Sequence, residues 1–107
     1  MENKKLIESL QIISKDPSGQ KNYIKGLFKD VDYENAEEIL LNYEDVKYLK
    51  DEYLYKPNLE KAFFELEQIL DEIDEGRLFF FSTLNNSIWN KARNKAREIL
   101  NILNSDE

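Results

Sequence analysis

Apolar residues recur along this chain at helical intervals, most clearly between Asn58 and Gly76. Leu59, Ala62, Phe63, Leu66, Ile69, Leu70 and Ile73 follow the i, i+3, i+4, i+7 spacing that lines one face of a helix. Pro57 stops whatever precedes it, Asn58 has the side chain of an N-cap, and Gly76 suits the left-handed position past a helix end. The opposite side of this central helix carries Glu60, Glu67, Asp71 and Glu75, with Phe64 set among them.

The same reading places a first helix over residues 3–14, with Leu6, Ile7, Leu10 and Ile13 on one face. Pro17 ends it, because the residue before a proline is pushed out of the helical region. Asp16 or Ser18 then caps a second helix reaching to about Lys29 and burying Tyr23, Ile24, Leu27 and Phe28. A third segment is capped by Asp32, with Ala36, Ile39, Leu40 and Tyr43 inward. A fourth runs from about Glu44 to Tyr55 with Val46, Leu49, Tyr53 and Leu54, separate from the third or continuous with it. The last helix, over residues 85–103, buries Ile88, Trp89, Ala92, Ala96, Ile99, Leu100 and Leu103. Between the two long helices lies RLFFFST, expected to form helix or a tight connector, since no second strand is evident to pair with it.

These elements predict an all-α fold, a single-domain antiparallel bundle of four to five helices spanning residues 1–107 with a solvated tail at about 104–107. Composition agrees: 3 Gly and 2 Pro in 107 residues are too few for the turns of a β fold. The longest unbroken apolar run, Leu78 to Phe81, falls far short of the roughly 18 residues that span a bilayer. No apolar signal-peptide segment opens the chain, and there is no Cys, so a cytoplasmic protein is expected.

Charge sharpens the picture. The net −7 is uneven: residues 1–30 carry a net +2, residues 31–76 a net −11, and residues 77–107 a net +2. Either the basic ends pair with the acidic middle inside the fold, or the acidic surplus faces a basic partner. A surplus of this sign argues against direct binding of nucleic acid through its phosphates.

Candidate chemistry is sparse. Without His or Cys the chain lacks the commonest general base, the thiol nucleophile and most transition-metal ligands. The three Gly are scattered at 19, 26 and 76 and form no phosphate-binding loop. Asp71 to Gly76 superficially follows a calcium loop, but Ile73 occupies the third ligand position and the segment continues a helix. No catalytic residue, metal or cofactor is therefore expected.

Two surfaces stand out. Glu60, Phe64, Glu67, Asp71 and Glu75, spaced 4, 3, 4 and 4 apart, share one strip about 180° from the buried stripe of the central helix. An aromatic ringed by carboxylates suits an interface for a basic protein; the plainer expectation is a solvated face with Phe64 tucked under a connector. The second surface combines Phe79, Phe80 and Phe81 with Lys91, Arg93, Lys95 and Arg97, which edge the apolar stripe of the last helix. Such edges reach over a core toward internal acids, or meet a membrane or partner surface.

The leading expectation is a non-catalytic acidic binding module, a stoichiometric inhibitor of a basic protein of the immunity-protein, antitoxin or phage anti-defence type. A second comes from Ile13-Ser14-Lys15-Asp16-Pro17 at the end of the first helix, which resembles the helix-1 boundary of the pediocin-like bacteriocin immunity proteins. That resemblance implies a four-helix bundle at the inner face of the membrane, with the Phe run and the basic residues of the last helix as its peripheral contact. A third expectation is a structural subunit of a helical assembly.

Overall fold

The computed structural model describes residues 4–29 and 34–105. Five α-helices carry the fold: α1 (Lys4–Ser14), α2 (Pro17–Leu27), α3 (Glu37–Val46), α4 (Pro57–Glu75) and α5 (Ser87–Ser105). Several starts and stops have a visible local cause. Asp16 is extended, its carboxylate accepts the Gly19 N–H at 2.7 Å, and Pro17 stands in the first turn of α2. The expected cap Asp32 lies outside the described residues. At the start of α3, Ala36 holds the cap position, while the Asn35 side chain accepts the Glu37 N–H at 2.7 Å. The expected third and fourth segments are one continuous piece, because α3 passes at Val46 directly into 3-10 turns over Lys47–Tyr53.

Pro57, not Asn58, leads α4: Lys56 is extended in the cap position and Pro57 supplies a helical φ without needing a donor. At the other end the left-handed residue is Arg77, φ 54°, while Gly76 remains right-handed. The Leu78 N–H bonds the Ile73 carbonyl at 2.9 Å and the Arg77 N–H bonds Asp74 at 3.1 Å, a Schellman motif one residue later than the glycine suggested. Gly76 serves close approach instead. A Cβ there would stand 3.2 Å from the Glu72 carbonyl oxygen and 3.3 Å from Leu78 Cγ.

The RLFFFST connector is tight, as expected: Arg77 to Phe79 are turn residues and Phe80 alone is extended. Asn35 and Phe80 form an antiparallel bridge, with the Ala36 N–H on the Phe79 carbonyl and the Phe81 N–H on that of Glu34. One 3-10 turn, Phe81–Thr83, follows. The partner of this single bridge residue is Asn35, in the short stretch before α3, which has no strand pattern of its own.

α5 is the spine of the bundle, packed antiparallel against α1 on one side and α4 on the other, with α3 beside α1. The buried residues of every helix join one cluster, with Leu6, Leu10, Ile39, Tyr43, Phe63, Leu66, Trp89 and Ile99 at its centre. The Trp89 indole N–H is satisfied by the Leu78 carbonyl at 2.6 Å, as a buried indole requires. In α2 only Ile24 and Gln20 are buried; Leu27, expected inward, is 50% exposed at the end of the helix, where no described element covers its outer side.

Candidate functional site

The outer face of α4 presents its charges unevenly. Phe64 is 62% exposed, so it is not tucked under a connector. Glu60, Asp71 and Glu75 are exposed and form no ion pair among the described residues, although Asp71 lies within electrostatic range of Lys47. Glu67 differs. It accepts a hydrogen bond from the Tyr43 hydroxyl at 2.8 Å and pairs with Lys50 of the 3-10 segment. Burial, and then the Glu67 charge, push the Tyr43 hydroxyl far above its ordinary range. The expected five-residue strip therefore divides: Glu67 bolts α4 to α3 and the following turns, while Phe64, Glu60, Asp71 and Glu75 remain outward.

The basic edges of α5 do not form one exposed strip. Arg93 is 2% exposed, which corrects its expected place on a surface. Its guanidinium donates to the Lys15 carbonyl at 3.1 Å, to Gln20 Oε1 at 2.9 Å, to the Leu84 carbonyl at 2.5 Å and to Asn90 Oδ1 at 2.8 Å. Desolvation by burial lowers its pKa, with Arg97 adding repulsion and Asp16 opposing both. Arg97 donates to the Ser14 carbonyl at 2.8 Å, and the Gln20 amide donates to that of Ile13 at 3.0 Å. Together these side chains satisfy the carbonyls that a helix end leaves open and place positive charge at the negative pole of α1. The corner between α1 and α2 is thus closed from α5.

Lys95 pairs with Glu65 at 2.7 Å and Glu98 at 3.1 Å. The hydrogen bond to Lys95 holds Glu65 below its ordinary pKa, and that to Glu65 raises Lys95. Lys91 is exposed. Of the Phe run, Phe79 is buried, Phe81 is half-buried and Phe80 is 48% exposed.

Two concavities flank α4. An open groove of about 730 Å³ runs between α4 and α5, over Gln68, Ile69 and Glu72 on one wall and Lys91 and Asn94 on the other. On the opposite flank a smaller hollow of about 110 Å³ lies between α3 and α4, where half-exposed Leu41 sits with Glu37, Glu44, Asp71 and Asp74. Leu41 was missed from the sequence, although it falls off the stripe of Ala36, Ile39, Leu40 and Tyr43. Gln20 carried no signal: a polar residue becomes central only once α5 brings Arg93 to it.

Among the described residues no helix is long and apolar enough to cross a membrane, and no group of acidic side chains is arranged to hold a metal ion. Comparison of the chain with protein-family models, with curated proteins and with solved structures gave no match.

Proposed function

We propose that this protein is a non-catalytic binding module that docks on a basic protein through the outer face of α4, as a stoichiometric inhibitor of the immunity-protein, antitoxin or anti-defence kind does, and that it acts in the cytoplasm. One observation carries the reading. A large aromatic, Phe64, stands 62% exposed on the face of α4 that also presents Glu60, Asp71 and Glu75, which form no ion pair among the described residues, while Glu67 one turn on is held by Lys50 and Tyr43. An exposed aromatic anchor on a face with a surplus of one charge suits a partner of opposite charge, which the surplus steers and the anchor holds. Leu41 with Glu37, Glu44 and Asp74 extends the same chemistry around the α3 side.

The test is capture of the partner by the full chain from its native host, followed by kinetics on the purified pair. Phe64→Ala is expected to weaken binding by about 2 kcal/mol, roughly 30-fold, mainly through faster dissociation. Asp71→Lys is expected to slow association, with the difference shrinking as salt rises. A captured partner that is acidic, or rates unchanged in both variants, removes this face as the site.

A further inference from the structure

Along α4, every residue of the apolar stripe is buried except Ile69, which stays half-buried and lines the α4 wall of the α4/α5 groove. The two walls of the groove are antiparallel helices of 19 residues, each about 28 Å long at 1.5 Å per residue. α1 covers the other side of α5, so this seam between two long helices is a seat that no described element of the chain fills. A seam of that shape accepts a third helix by ordinary ridge-into-groove packing.

Its charge selects the occupant. Lys95 is already neutralised by Glu65 and Glu98, which leaves Lys91 facing Asp71, Glu72 and Glu75. Those three acids crowd the C-terminal turns of α4, whose last turn has no basic residue. Negative charge at the negative pole of a helix is unfavourable, and a cationic ligand there reverses the sign. Phe64 stands one turn before Gln68 on the same rim, so the groove and the aromatic are parts of one surface.

We propose that the basic partner enters as an amphipathic helix laid along the α4/α5 groove, its apolar edge on Ile69 and its Lys or Arg side chains on Asp71, Glu72 and Glu75. This inference rests on the reading of the protein as a module for basic proteins and adds the form of the ligand.

The experiment uses the ¹⁵N-labelled full chain and two probes of identical composition: an 18-residue Leu/Lys peptide patterned as an amphipathic helix, and its scrambled isomer. The patterned peptide is expected to shift the amides of Gln68, Ile69, Glu72, Lys91 and Asn94, and to bind at least about 10-fold more tightly than the scrambled one. Glu72→Lys is expected to weaken it by about 5-fold while leaving the free protein's spectrum folded. Equal binding of both peptides, or shifts confined to Phe64 or to the α3/α4 hollow, overturns the helix-in-groove form and leaves the basic-partner reading standing. Concentration-dependent broadening of the groove amides without peptide assigns the seat to a second copy of this chain and overturns the proposal. Binding of neither peptide overturns both readings.

Discussion

α4 and α5 are equally long and both strongly amphipathic, yet they dispose of their charge in opposite ways. α5 commits three of its four cations inside the molecule: Arg93 and Arg97 to backbone carbonyls at the end of α1, and Lys95 to Glu65 and Glu98. α4 commits two of its acids, Glu65 to Lys95 and Glu67 to Lys50 and Tyr43, and turns the others outward. The cross-pairing expected between basic ends and acidic middle thus reduces, for these two helices, to the single link between Lys95 and Glu65. Helix-end carbonyls compete for cations as effectively as carboxylates do, because an unsatisfied buried carbonyl costs about 1–3 kcal/mol. What α5 supplies to α1 is unavailable to α4, and the negative surplus stays on the surface.

The largest expected effect tests the α5 side. Arg93→Met leaves Gln20 Oε1 and the Lys15 and Leu84 carbonyls without their donor, and is expected to destabilise the fold by about 3 kcal/mol in urea denaturation. A loss below about 1 kcal/mol would show that the α1/α2 corner does not depend on α5. Next comes the exceptional acid of α4. Glu67→Ala strands the buried Tyr43 hydroxyl and frees Lys50, at an expected cost of about 2 kcal/mol, whereas Asp71→Ala is expected to stay within about 0.5 kcal/mol of wild type. Equal costs at the two positions would erase the division of the ridge into inner and outer acids.

Glu75→Lys reverses an unfavourable charge in the last turn of α4 and is expected to raise stability by about 0.5 kcal/mol. A destabilised variant would show that Glu75 has a partner within the fold. The smallest effect concerns the one link between the helices. The carboxyl of Glu65 lies below its ordinary 4.5 because it accepts from Lys95, so its contribution is present above that value and is lost as pH falls through the lowered one. Glu65→Gln should flatten the decline of Tm on acidification below about pH 4.5, and leave Tm at neutral pH slightly lower; an unchanged acid profile would mean the pair is absent in solution.

Much of the fold was legible. Most of the stripes of α1, α4 and α5 was legible, although Ile7, Ile69, Ile88, Leu100 and Leu103 are only partly buried and Ser9 is buried without having been expected. Asp16 with Pro17 likewise marked the start of α2, because amphipathic period and cap chemistry are local properties. Boundaries set by backbone geometry were less so. The left-handed residue after α4 is Arg77, since Leu78 must fold back on Ile73, and Gly76 is held by the approach of the Glu72 carbonyl instead. Leu27 was misplaced for a related reason: an apolar residue on a short helix is buried only if a neighbour arrives to cover it.

The candidate site was legible as a strip of residues and not as a surface. Sequence spacing alone placed Glu60, Phe64, Glu67, Asp71 and Glu75 on one side of one helix, because a helix fixes angles every 100° whatever surrounds it. Only the tertiary structure decided which of them face water. Tyr43 and Lys50 arrive from 24 and 17 residues away to take Glu67, and Arg93 reaches back 78 residues to the end of α1. Helical period settles which residues share a face, whereas contacts between distant segments settle whether a charge on that face is already held within the molecule or remains outward, where a partner can reach it.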